Sequence, residues 1–165
     1  MNLSKGERKY LIGILLTENE YGWTRLKWVA DFFGVKMSTV KEFLNSLEDK
    51  KLITHQRRGA IFLTDVGREI ASREKQRLDV LIKFMTGCLV LDDETANKNA
   101  MKILFELDDK VSNRLYKFIE FMTLCPTKPV FIDKFESYIK DGKYEMCSYC
   151  PVLFDKEGYD EIKRG

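Results

Sequence analysis

The chain of 165 residues has one histidine, His55. That leaves no basis for an imidazole-rich metal site, and no nucleophile–base arrangement is evident around it. It has no glycine-rich loop of the kind that cradles phosphate, so neither an enzyme nor a small-molecule substrate is expected. No apolar run reaches the roughly 18 residues that a membrane span requires. The start, Met1-Asn2-Leu3-Ser4-Lys5-Gly6, lacks a charged region followed by an apolar core, so no secretory signal is expected. A cytoplasmic protein follows, with its four cysteines reduced unless they hold a metal. All three prolines lie beyond residue 125, and there is no internal repeat or low-complexity tract.

A hydrophobic share of 44% with 33% charged residues is the balance of a folded globular chain, large enough for one or two small cores. The net charge of +2 says little about partners, but its distribution says more. Residues 1–60 carry 11 Lys/Arg against 7 Asp/Glu, residues 61–124 carry 10 against 11, and residues 125–165 carry 7 against 8. The positive excess sits at the N-terminal end.

Apolar spacing reads as a mainly α chain. A first helix spans about Lys5 to Thr17, with Leu11, Ile12, Leu15 and Leu16 at helical intervals. Thr24 is a suitable N-cap for a second, about Arg25 to Phe33. Gly34 suits the turn that follows, where positive φ costs it little. A third helix runs from about Met37 to Lys50, with Val40, Phe43, Leu44 and Leu47 inward. Leu52-Ile53-Thr54 and Ala60-Ile61-Phe62-Leu63-Thr64 read as two short strands joined by Gln56-Arg57-Arg58-Gly59. Asp65 can cap a fourth helix, about Val66 to Thr86. A fifth runs from Asp93 to Glu106, and a sixth from Asp109 to Leu124. Val111, Leu115, Phe118, Ile119 and Met122 share one face of the sixth. A short amphipathic helix, about Phe131 to Lys140, precedes the Cys147-Ser148-Tyr149-Cys150-Pro151 knuckle.

Residues 24–64 thus form a helix-turn-helix with a two-stranded basic wing, a pattern that reads double-stranded DNA. Lys36, Ser38, Thr39, Lys41 and Glu42 open the third helix, where groove contacts are made. Arg57 and Arg58 at the wing tip suit phosphate or the minor groove. Three segments follow: a winged helix-turn-helix (1–64), a linking helix with a helical dimerisation domain (65–124), and a cysteine-containing extension (125–165). The competing reading is a winged helix that binds protein, with a structural zinc knuckle.

Gly59-Ala60-Ile61-Phe62-Leu63-Thr64-Asp65-Val66-Gly67-Arg68 contains a Leu-Thr-x-x-Gly element leading from wing to linking helix. With Leu91-Asp92 and Asp109-Lys110-Val111-x-x-Arg114-Leu115, it resembles the iron-dependent repressor family of the diphtheria-toxin-repressor type. The resemblance covers about residues 5–124. It implies a homodimer formed through the helices after the wing, acting as a repressor on a pseudo-palindromic operator. It also implies a divalent metal at the domain junction. The matching ligand positions hold Lys9, Gln76, Val80, Asn97, Met101, Leu104 and Phe105. Of these only Met101 suits a soft metal, so the usual manganese or iron site is expected to be absent.

Cys125-Pro126 and Cys147-x-x-Cys150-Pro151 offer a different site. Two thiolates in Cys-x-x-Cys reach one ion from a tight turn, and Cys-Pro is frequent at iron–sulfur ligands. Some relatives of this family carry similar tails, which implies Cys125, Cys147 and Cys150 as ligands for an iron–sulfur cluster or zinc. The alternatives are free thiols or a disulfide. Cys88 is an available fourth ligand, or else a small buried hydrophobe.

Overall fold

The computed structural model describes residues 2–56, 58–124 and 130–142. Two compact units divide at Leu124 and Cys125. The first contains helices α1 (Lys5–Leu16), α2 (Leu26–Phe33), α3 (Met37–Asp49), α4 (Asp65–Gly87), α5 (Asp93–Glu106) and α6 (Asp109–Thr123). It also contains strands β1 (Trp23–Arg25), β2 (Ile53–His55) and β3 (Ala60–Leu63). Helix α7 (Val130–Asp141) lies in the second unit and ends at Gly142, whose φ is +66°. No helix among the described residues is long and apolar enough to cross a membrane.

The wing differs from the two-stranded expectation. The sheet has three antiparallel strands in the order β1-β3-β2, with Trp23 opposite Phe62 and Arg25 opposite Ala60. Thr24 is therefore a strand residue and not a helix cap. It is fully buried, and its hydroxyl pairs with the Thr17 hydroxyl at 2.8 Å. Arg25 takes the N-cap position of α2 without a side-chain bond. Asp65 likewise yields the cap of α4 to Thr64, whose Oγ1 accepts from the Gly67 N–H at 3.1 Å.

That Thr64 hydroxyl also lies 2.9 Å from the Lys51 carbonyl and 3.1 Å from that of Leu52. Gly67 sits directly on this joint. A Cβ there would stand 2.0 Å from the Leu52 carbonyl oxygen, an overlap no neighbour can relieve by rotating. The Leu-Thr-x-x-Gly element is thus a splice between wing and linking helix. Thr ties the strand connection down, and Gly lets the helix backbone lie against it.

Two apolar clusters organise the first unit. One gathers Leu11 and Ile14 of α1, Val29 and Ala30 of α2, Val40, Leu44 and Leu47 of α3, Ile61 of β3 and Ala71 of α4. Each buried Leu or Ile contributes roughly 2 kcal/mol. Gly13 lets the Phe33 ring press on α1, and Tyr10 stacks on Phe43 with centroids 4.5 Å apart. The other cluster takes Ile12 of α1, Leu78, Leu81 and Met85 of α4, Ala96, Ala100, Leu104 and Phe105 of α5, and Ile119 of α6. Neighbouring residues of one helix, Leu11 and Ile12, therefore serve different clusters.

On α5, Ala96, Ala100, Leu104 and Phe105 are buried inside this second cluster, and Met101 and Ile103 are partly buried against it. The α6 face divides. Ile119 is buried, whereas Val111, Phe118, Phe121 and Leu124 are exposed, the last two by 70% and 75%.

At the head of α1, Ser4 and Glu7 form a capping box: the Ser4 hydroxyl accepts from the Glu7 N–H, and Glu7 accepts from the Ser4 N–H at 2.7 Å. The same carboxylate accepts from Lys50 Nζ at 2.5 Å and Ser46 Oγ at 2.6 Å, binding α1 to the end of α3. The Lys50 ammonium first and the Ser46 hydroxyl second lower its pKa from 4.5 to about 2, against the opposing effect of burial.

Candidate nucleic-acid interface

Ala30 of α2 is buried in the same cluster as Val40, Leu44 and Leu47 of α3. Gly34 turns the chain at φ +63° and caps α2. The helix that follows buries Val40, Leu44 and Leu47, and its periodicity turns the intervening residues outward. Lys36, Ser38, Thr39, Lys41, Glu42 and Asn45 are all exposed. Two cations, two hydroxyls, a carboxylate and an amide therefore share the outer side of one helix. Hydroxyls and amides can donate or accept, lysines can only donate, and the carboxylate can only accept.

The wing turns through Arg58 at φ +74° and Gly59 at φ +78°. Arg58 is exposed at this tip, while Arg57 lies outside the described residues. Register places a further arginine at the same end of the sheet, since Arg25 pairs with Ala60, the residue after the tip. Trp23 and Trp28, the only two tryptophans of the chain, stack with centroids 5.2 Å apart. The exposed Arg25 guanidinium lies 5.3 Å from one ring and 5.7 Å from the other. Aromatic stacking restrains a guanidinium while leaving its N–H edge able to meet an anion. Sequence reading placed Arg25 as a first helical residue and missed this role. The available signal was the spacing Trp23-x-Arg25-x-x-Trp28.

His55 is exposed on β2, and its Nδ1 lies 2.8 Å from Glu48 at the end of α3. Its hydrogen bond holds the Glu48 carboxyl below the usual range. The one imidazole thus braces the wing against α3. Cys88 follows α4 as its C-cap, half-buried, and burial pushes its thiol pKa up, away from the reactive thiolate. Cys125, Cys147 and Cys150 lie outside the described residues.

The positions aligned with the family's metal ligands do not all converge. Lys9, Asn97, Met101 and Phe105 line one groove at the junction of α1, α2, α4 and α5. Leu104 lines a separate cavity of about 320 Å³ with Arg8, Arg77 and Tyr116. There burial pushes the Tyr116 hydroxyl up to about 12. Val80 packs on the second cluster, and Gln76 is exposed. In the groove, Asn97 donates its amide N–H to the Asp93 carbonyl at 2.7 Å. The Asp79 carboxylate accepts from Lys75 Nζ at 2.6 Å. The polar lining of the groove is four lysines, one amide, one thioether and the carboxylates of Asp31, Asp79 and Glu106, and among the described residues no three His, Cys, Asp or Glu side chains come together there. A hard divalent cation needs several oxygen or imidazole donors, so these residues do not fit one.

Residues 64–130 match the family described as the iron dependent repressor, metal binding and dimerisation domain. Among solved structures, the chain is similar to a manganese-dependent transcriptional repressor in complex with manganese. Identity there is 25% and the TM-score 0.56, over 70% of this chain and 53% of that one. It is also similar to T. acidophilum IdeR, at 18% identity and TM-score 0.55 over 73% and 55%. A third is the manganese regulator SloR, at 20% identity and TM-score 0.53 over 73% and 55%. The chain spans about half the length of these three structures. No curated protein matches it. The chain has the fold of the diphtheria-toxin-repressor type, and its residues 64–130 match the metal-binding and dimerisation domain of the iron-dependent repressor family.

Proposed function

We propose that this protein is a DNA-binding transcriptional regulator, a repressor, acting as a homodimer on a pseudo-palindromic duplex operator. The observation that carries the reading is the exposed outer side of α3 beside a basic wing. Lys36, Ser38, Thr39, Lys41 and Glu42 meet base edges and phosphates in the major groove. Arg57 and Arg58 contact the flanking backbone, and Arg25, held against Trp23 and Trp28, adds a contact at the same end of the sheet. The stripe of Val111, Phe118, Phe121 and Leu124 is apolar surface of the kind a two-fold partner covers.

Binding to duplex DNA over a range of salt tests this. Lys41→Ala and Arg58→Ala should each weaken binding and reduce the salt slope by about one. Unchanged affinity in both folded variants would sink the account. An absence of affinity for random duplex at low salt would favour a protein-binding winged helix.

We also infer that Cys125, Cys147 and Cys150 hold an iron–sulfur cluster or zinc, through which redox state or iron reaches the regulator. Absorption and metal analysis of anaerobically purified protein separate the two. A band at about 400 nm with iron and sulfide marks a cluster, and a colourless zinc protein marks a structural knuckle. Neither metal would leave plain thiols and end this reading.

A further inference from the structure

The groove that does not fit a metal has a composition of its own. Its volume is about 970 Å³, within the range of small-molecule sites. Phe33 of α2, Leu78 and Ile82 of α4, and Met101 and Phe105 of α5 supply apolar walls. Lys75 is neutralised by Asp79. Lys98 and Lys102, one turn apart on α5, are exposed on its rim and form no ion pair among the described residues. Lys9 Nζ lies 5.1 Å from the centre of the Phe33 ring, which brings a third ammonium against an apolar wall. Asp31 and Glu106 are the acids left in the lining. The free charge of the lining is therefore cationic, three lysines against two carboxylates.

We propose that this groove binds an organic acid with an apolar body of roughly ten to fifteen heavy atoms and one anionic group. The body lies on Phe33, Ile82, Met101 and Phe105, and the anion meets Lys98 and Lys102. Lys9, Asn97, Met101 and Phe105, four of the positions aligned with the family's metal ligands, would then face an amphipathic anion. Phe33 and Gly34 lead directly into α3, and Ile82 and Met101 belong to the helical half. A ligand touching both bears on how the reading helix is held. This consequence rests on the DNA-binding reading, whereas the binding itself does not.

The test uses the full chain and 8-anilinonaphthalene-1-sulfonate, an apolar body with one anionic group whose fluorescence rises on burial. Binding should saturate at one probe per protomer and be displaced by decanoate but not by decylamine. The double variant Lys98→Gln/Lys102→Gln should weaken probe and decanoate about tenfold. Met101→Trp should weaken both by reshaping the apolar wall on which the body lies, and circular dichroism checks that each variant is folded. Probe binding unchanged in Met101→Trp would overturn the proposal, as would displacement by decylamine equal to that by decanoate. Displacement of the probe by micromolar manganese would also overturn it, by showing a cation site. A parallel duplex-DNA titration with and without decanoate reads the coupling, and equal affinity in the two overturns that half. Decanoate binding in a protein that ignores DNA would sink the regulator reading and leave the groove standing.

Discussion

The two clusters of the first unit are finished to different degrees. Around the helix-turn-helix, glycines at 6 and 13 admit the Phe43 and Phe33 rings, and Ala30 is buried in the same cluster as Val40, Leu44 and Leu47. The buried side chains of that core are covered from within the chain, while Trp28, Phe32 and Met37 stay exposed beside it. Around α4–α6, alanines and leucines fill the interior, yet Val111, Phe118, Phe121 and Leu124 stay on the outside. One core is closed by its own sequence, and the other has the form of half an interface. On the function proposed above, the first half would hold a shape against DNA and the second would find its copy.

The sharpest way to break the closed half is Gly67→Ala. The added methyl meets the Leu52 backbone carbonyl, so a loss of about 3 kcal/mol or more is expected in denaturant unfolding. A variant as stable as the parent would show that wing and α4 are not clamped. The open half is tested by Phe121→Asp. A charge at a two-fold contact appears twice, so dimer affinity should fall about a hundredfold in sedimentation, with little change in helix content.

Glu7→Gln probes the tie between α1 and α3. A loss of about 2 kcal/mol is expected at neutral pH. The Glu7 pKa is lowered from 4.5 to about 2 in the fold, so its contribution is full above about 4.5 and fades as pH falls toward 2. Parent and variant should therefore converge in acid, and a gap that persists at pH 2 would contradict the assignment. The smallest effect is at the surface. Arg25→Ala should weaken duplex binding about fivefold, near 1 kcal/mol, and should change the fluorescence of the two adjacent tryptophans. Affinity equal to the parent's would confine Arg25 to the fold.

The helices were legible because each buries residues at a 3.6-residue period, and Gly34 announced its turn. Strand β1 was not, because its three residues run straight into α2 and lack the turn that marks β2 and β3 as a hairpin. Thr24 resembles a cap until Thr17 supplies a buried partner. Thr64 and Asp65 are both good capping residues, and the choice between them depends on the Leu52 carbonyl, which is distant in sequence. The exposed side of α3 could be read as whatever the inward period left over. The Arg25 stack and the junction groove could not, since each is assembled from separate elements whose approach only the fold defines.

Leu11 and Ile12, adjacent on α1, look into opposite clusters. The winged helix-turn-helix therefore has no boundary at which it could swivel freely, because one helix is a wall of both rooms. Two heads borne on such a dimer would behave like a caliper set to one opening. An operator whose half-sites were moved apart by a few base pairs would be gripped by one jaw and missed by the other.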